Sequence, residues 1–92
     1  VPAPTAGETR QLQTLLRGVV TDGSGRGLAD LPGPPALAKT GTAEFGSGAR
    51  LRTHAWMIGA QGDLAVAVFV GLGSSGSGTA GPSLEQFLRS AR

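Results

Sequence analysis

The sequence predicts an α+β fold in which a helix, a three-stranded antiparallel meander and a second helix follow one another along the chain. Three observations carry that class. Leu12, Leu15, Leu16, Val19 and Val20 recur at the spacing of one helical face. Three runs of strand-forming residues follow, separated by short glycine-containing turns. Pro82 then opens a last stretch that sets Leu84, Phe87 and Leu88 on one side of a helix.

Taken in order, Val1 to Gly7 reads as extended linker because of Pro2 and Pro4. Thr5 with Glu8 three residues later forms the pattern of a capping box, and the first helix is expected over 8–21. Asp22-Gly23 stops it, and 22–35, with its Gly-Ser-Gly-Arg-Gly and Pro-Gly-Pro-Pro runs, reads as loop. Strands are expected over 36–45, 51–60 and 64–72, parted by Gly46-Ser47-Gly48 and by Gln61-Gly62-Asp63. Turns this short imply an antiparallel meander. The third strand is apolar at nearly every position, the pattern of a strand buried on both faces in the middle of a larger sheet. Residues 73–81 read as a Gly/Ser connection without hydrophobic anchors, and the last helix is expected over 82–91. There is no internal repeat.

Ninety-two residues allow one small domain or one piece of a larger one. The 16 glycines and 6 prolines approach a low-complexity composition, but 21 Leu, Ile, Val and Phe residues and a net charge of only +2 favour folding. The core must be thin, since a chain of this size buries only roughly 60 to 65% of its unfolded surface. No cysteine is present to add a disulfide or a thiolate metal site. A sequence pI near 10.5 suggests nucleic acid, yet the seven Arg and one Lys are scattered singly and three Phe and one Trp leave little to stack on bases. Nucleic acid is therefore not an expected partner. No apolar run approaches the roughly 18 residues of a membrane span. Val1-Pro-Ala-Pro is not a leader pattern, and a start without Met points to a processed or shortened product. His54 has neither an acidic neighbour nor a second His, so no metal and no cofactor are expected.

The densest motif surrounds the only lysine: Ala38-Lys39-Thr40-Gly41-Thr42-Ala43-Glu44. Gly33 to Thr40 approximates a phosphate-binding loop except that Ala38 replaces the second glycine. Pro34 and Pro35 remove the N–H groups such a loop needs, no apolar strand precedes it, and Gly46 and Gly48 break any following helix. That reading fails. Lys39 also reads as an ordinary exposed strand lysine and Gly41 as a bulge.

With its flanks, the motif resembles the C-terminal part of the transpeptidase domain of penicillin-binding proteins, the serine acyl-transferases that crosslink peptidoglycan. Lys39-Thr40-Gly41 matches the family's third signature, here extended to Thr42-Ala43-Glu44. His54-Ala55-Trp56 matches an element of the next strand, and an apolar strand and terminal helix complete the order. The resemblance covers about residues 8 to 91 and is closest to members without glycosyltransferase activity. It implies a partial β-lactamase/transpeptidase-like fold. Lys39, Thr40, Gly41 and Thr42 would bind the carboxylate of a peptidoglycan stem peptide or a β-lactam, with a fixed cation and hydroxyl donors matching the anion. Gly41 would let the ligand backbone lie close as an added strand. The backbone N–H of Thr42 would be one of two oxyanion-hole donors.

The family's other signatures are missing. The residue three before Lys39 is Ala36, so there is no Ser-x-x-Lys, and a chain without Asn has no Ser-x-Asn. The nucleophile must come from elsewhere, and this chain alone is not expected to acylate. The resemblance further implies the N-terminal remainder of the transpeptidase domain as partner and the extracytoplasmic face of a bacterial membrane as location. It leaves an unpaired sheet edge at the third strand, which predicts a marginal or self-associating isolated chain. Two alternatives stay open: a serine β-lactamase fragment, and a non-catalytic module whose free edge augments a partner's sheet. Plainer readings suit other residues. Trp56 is expected in the core, Glu44 as a solvated strand-end carboxylate, and Ser74, Ser75 and Ser77 as flexible linker without an activating group.

Overall fold

The computed structural model describes residues 1–91; the expected segment's last residue, Arg92, lies outside them. Helix α1 spans Ala6–Asp22 and begins two residues before the expected start. Thr5 is its N-cap: the Thr5 hydroxyl accepts from the Glu8 N–H at 3.1 Å, and Glu8 accepts from the Thr5 N–H at 2.8 Å. With both reciprocal bonds made, Ala6 becomes the first helical residue. The apolar stripe of α1 is covered only near its C-terminus. Val20 is fully buried and Val19 packs on the core, whereas Leu12 and Leu15 are 54% and 71% exposed.

The expected loop contains a short 3-10 turn, Arg26–Leu28, which buries Leu28. Strands β1 (Leu37–Phe45), β2 (Arg52–Gln61) and β3 (Leu64–Val70) form an antiparallel sheet in the order β1-β2-β3. Gly62, at φ 64°, makes the left-handed turn into β3. The β1–β2 register runs unbroken from Leu37↔Ala60 through Lys39↔Ile58 and Gly41↔Trp56 to Phe45↔Arg52. Gly41 is therefore a regular ladder residue and not a bulge.

Residues 73–81 are not a linker. Gly76–Ala80 form one π-helical turn that runs directly into helix α2 (Gly81–Ser90). Ala80 is fully buried, so the segment supplies the anchor that its composition hides. The last helix thus starts a residue earlier than expected.

Strand alternation sorts the sheet into two faces. Ala38, Ala55 and Met57 form one buried cluster with Val20, Leu28, Leu84 and Leu88. Leu84 fits because Gly59 has no side chain: a Cβ there would lie 2.9 Å from Leu84 Cδ2. The opposite face is open, with Trp56 and Phe69 42% and 48% exposed. This corrects two expectations. Trp56 is not in the core, because its position in register with Gly41 sets it on the uncovered face. Nor is β3 buried on both sides: Val66, Val68 and Val70 are half-buried while Ala65, Ala67 and Phe69 are exposed. It is an edge strand among the described residues.

Candidate functional site

Lys39, Thr40, Gly41 and Thr42 lie in the middle of β1, which has β2 on one side and no strand on the other among the described residues. Alternation separates their side chains. Thr40 and Thr42, opposite Met57 and Ala55, face the helix side, and Lys39 and Gly41, opposite Ile58 and Trp56, face the open side. Two residues of strand put the threonine hydroxyls on one face at a spacing of roughly 6.6 Å. Lys39 is exposed and its Nζ donates to the Thr40 carbonyl at 2.7 Å; no carboxylate among the described residues pairs with it.

Each threonine is held by a distant segment. Thr40 Oγ1 lies 2.7 Å from Ser24 Oγ. Ser24 follows the end of α1, where the Val19 carbonyl accepts from both the Gly23 and Gly25 N–H groups at 3.1 and 2.9 Å. Thr42 Oγ1 accepts from the Gly76 N–H at 3.3 Å. Gly76 is buried against backbone: a Cβ there would meet Trp56 O at 2.5 Å, Gly41 N at 2.8 Å and Gly41 O at 3.0 Å. Only glycine permits that approach. Across the sheet, a Cβ on Gly41 would meet only Trp56 Cβ at an ordinary 3.6 Å.

The turn behind the strand is internally tied. Ser75 Oγ accepts from the Gly78 N–H at 3.0 Å, and Thr79 Oγ1 accepts from the Ser74 N–H at 3.0 Å. The Gly73 N–H donates to Thr53 O at 3.0 Å, and the Thr53 hydroxyl donates to the Gly73 carbonyl. Ser74 and Ser75 are thus capping and bracing residues rather than linker.

On the open face His54 stacks on Phe45 with centroids 4.0 Å apart and lies 5.0 Å from Phe69, which in turn is 4.5 Å from Trp56. His54 Nδ1 is 2.8 Å from the Gly71 carbonyl, and because a carbonyl only accepts, Nδ1 carries the proton. Among the described residues no three His, Cys, Asp or Glu side chains gather to hold a metal ion. Glu44 is exposed near the end of β1.

The motif residues named from the sequence thus stand together on one edge strand. Sequence reasoning missed Ser24 and Gly76. No local pattern ties either residue to its threonine, since Ser24 is 16 residues from Thr40 and Gly76 is 34 from Thr42.

The protein-family model of the penicillin-binding protein transpeptidase domain matches residues 5–89. No curated protein and no solved structure matches the chain.

Proposed function

Because the chain belongs to the penicillin-binding protein transpeptidase family, we propose that β1 is the strand on which a carboxylate-ended stem peptide or a β-lactam is seated for serine acyl transfer. The observation that carries this reading is the joint placement of Lys39, Thr40, Gly41 and Thr42 on a strand with one free edge, the two hydroxyls on a common face. A ligand adding along that edge gains main-chain hydrogen bonds. The Thr40 and Thr42 hydroxyls bracket its carboxylate. The Lys39 ammonium, on the other face of the strand with its Nζ on the Thr40 carbonyl, adds positive charge to the site without bonding the carboxylate. Gly41 keeps the strand without a side chain where the ligand backbone passes.

The nucleophile comes from outside this chain, which has no Ser-x-x-Lys and no Ser-x-Asn. The incoming serine oxygen bonds to the ligand's carbonyl carbon, the amide C–N bond breaks, and the proton leaves with the amine. The Thr42 N–H is one donor to the oxyanion in between. The partner is then the N-terminal remainder of the transpeptidase domain, working at the extracytoplasmic face of a bacterial membrane.

The test is fluorescent-penicillin labelling of a native lysate, with each labelled band sequenced for the peptide running from Thr53 to Arg89. The expected result is that peptide in a labelled band far larger than the 9.2 kDa of this chain. In that polypeptide Lys39→Ala should slow labelling by about threefold to tenfold, from the loss of a nearby positive charge and of its bond to the Thr40 carbonyl. Labelling at the wild-type rate would remove Lys39 from the site.

A further inference from the structure

Ser24 lies 16 residues from Thr40 in sequence, yet their hydroxyl oxygens are 2.7 Å apart. Thr42 is held in a parallel way by the Gly76 N–H. A hydroxyl has one proton and two lone pairs. If it accepts a hydrogen bond from behind, its own proton stays free for a ligand, and accepting that bond also polarises it. A carboxylate can only accept, so it requires hydroxyls in that donor state.

We infer that Ser24 is a positioning residue for anion recognition: its hydroxyl donates to Thr40 Oγ1 and leaves the Thr40 O–H directed at the ligand's carboxylate, as the Gly76 N–H does for Thr42. The inference rests on the reading that Thr40 and Thr42 take that carboxylate. Ser24 is placed for the task by backbone on both sides, since Gly23 and Gly25 both donate to Val19 O. Gly25 is buried where a Cβ would lie 3.2 Å from Val19 Cγ1 and 3.4 Å from the Ala38 Cβ, so the loop is seated against β1. Lys39 cannot do the same work, because its Nζ bonds the Thr40 carbonyl and its side chain belongs to the other face.

The test compares two ligands on the labelled polypeptide that carries this chain: a penicillin, and the same penicillin with its carboxylate blocked as the methyl ester. Ser24→Ala should slow acylation by the free acid about threefold to tenfold, the loss of one ordinary hydrogen bond. It should leave the ester's rate and the melting temperature unchanged. Ser24→Thr, which keeps the hydroxyl, should retain the wild-type rate with both. Equal slowing on acid and ester, a lowered melting temperature with the selectivity intact, or a Ser24→Thr variant as slow as Ser24→Ala would each overturn the inference. If Ser24→Ala is fast with both ligands while Lys39→Ala is slow, Ser24 drops out and the site stands. If both variants label at the wild-type rate, or wild type takes no label, the site reading fails and the inference with it.

Discussion

On one face of the sheet Ala38, Ala55 and Met57 are buried in a cluster with Leu84 and Leu88, while on the other Trp56, Ile58 and Phe69 stay exposed beside a row of ring contacts, one stacked and two tilted. The two faces carry comparable apolar content, so composition does not separate them. Second-layer contact does. The first face gains burial from α2, from the end of α1 and from the Gly76–Ala80 turn, and the contacts that bury it also hold Thr40 and Thr42. Among the described residues the exposed rings of the second face rest on cross-strand contacts, each worth a few tenths to about 1 kcal/mol. The chain's stability and the two threonine hydroxyls of its candidate site therefore share one side of the sheet.

The strongest way to break this comparison is to truncate one large side chain on each face of the 92-residue chain. Leu84→Ala should cost about 2–5 kcal/mol, because Leu84 is fully buried and packs against Gly59. Trp56→Ala should cost about 1 kcal/mol, the loss of its contact with Phe69 at 4.5 Å. Urea denaturation followed by far-UV circular dichroism measures both. Equal costs would mean that the open face is covered in solution, by a second copy or otherwise, and the two faces would no longer differ.

Next in size is Gly76→Ala, which adds one methyl group where three backbone atoms of Gly41 and Trp56 lie within 3.0 Å. Backbone cannot yield as a side-chain tip does, so overpacking should cost about 1–3 kcal/mol. The shift should also displace the Gly76 N–H from Thr42. Amide chemical shifts of Gly41 and Thr42 would report it, and unchanged shifts would show that the turn does not support the strand.

These two regions also mark what could be read from the sequence. Helices, strands, their order and the position of Lys39-Thr40-Gly41 on a strand were all legible, because each depends on periodicity and turn residues within a short window. The Gly73–Gly81 segment was not. Gly76 serves close approach, and only the packing of its turn on the paired Gly41 and Trp56 backbone reveals it. Ser24 was hidden for a related reason, since its partner is 16 residues away and no local pattern links two hydroxyls across a loop. Trp56 misled in the other direction. An aromatic in a strand reads as core, whereas its alternation with Ala55 and Met57 assigns it to the face that this chain leaves uncovered.

The smallest effect concerns the far end of α1, where the contrast within one helix can be sharpened by pH. Its C-terminal half is fixed to the core by Val19 and Val20, while Leu12 and Leu15 stand exposed and the first turn relies on its cap. The Thr5 N–H and hydroxyl, both bonded within the capping box, hold the Glu8 carboxyl below its ordinary range. A carboxyl whose folded value is lowered stabilises the helix fully above its unfolded value, about 4.3 for Glu. That contribution is lost as pH falls through the ordinary Glu range and on to the lower folded value. Acidification from pH 6 to pH 3 should therefore lower the protection factors, corrected for the intrinsic pH dependence of exchange, of the Thr5, Glu8 and Thr9 amides, while those of Val19 and Val20 hold. The Glu8→Gln variant should lose most of this pH response, because a neutral amide can still accept from the Thr5 N–H but does not titrate. Uniform loosening of the whole helix would show instead that its first turns are coupled to the sheet, and that the support behind Thr40 extends further along α1 than its buried residues indicate.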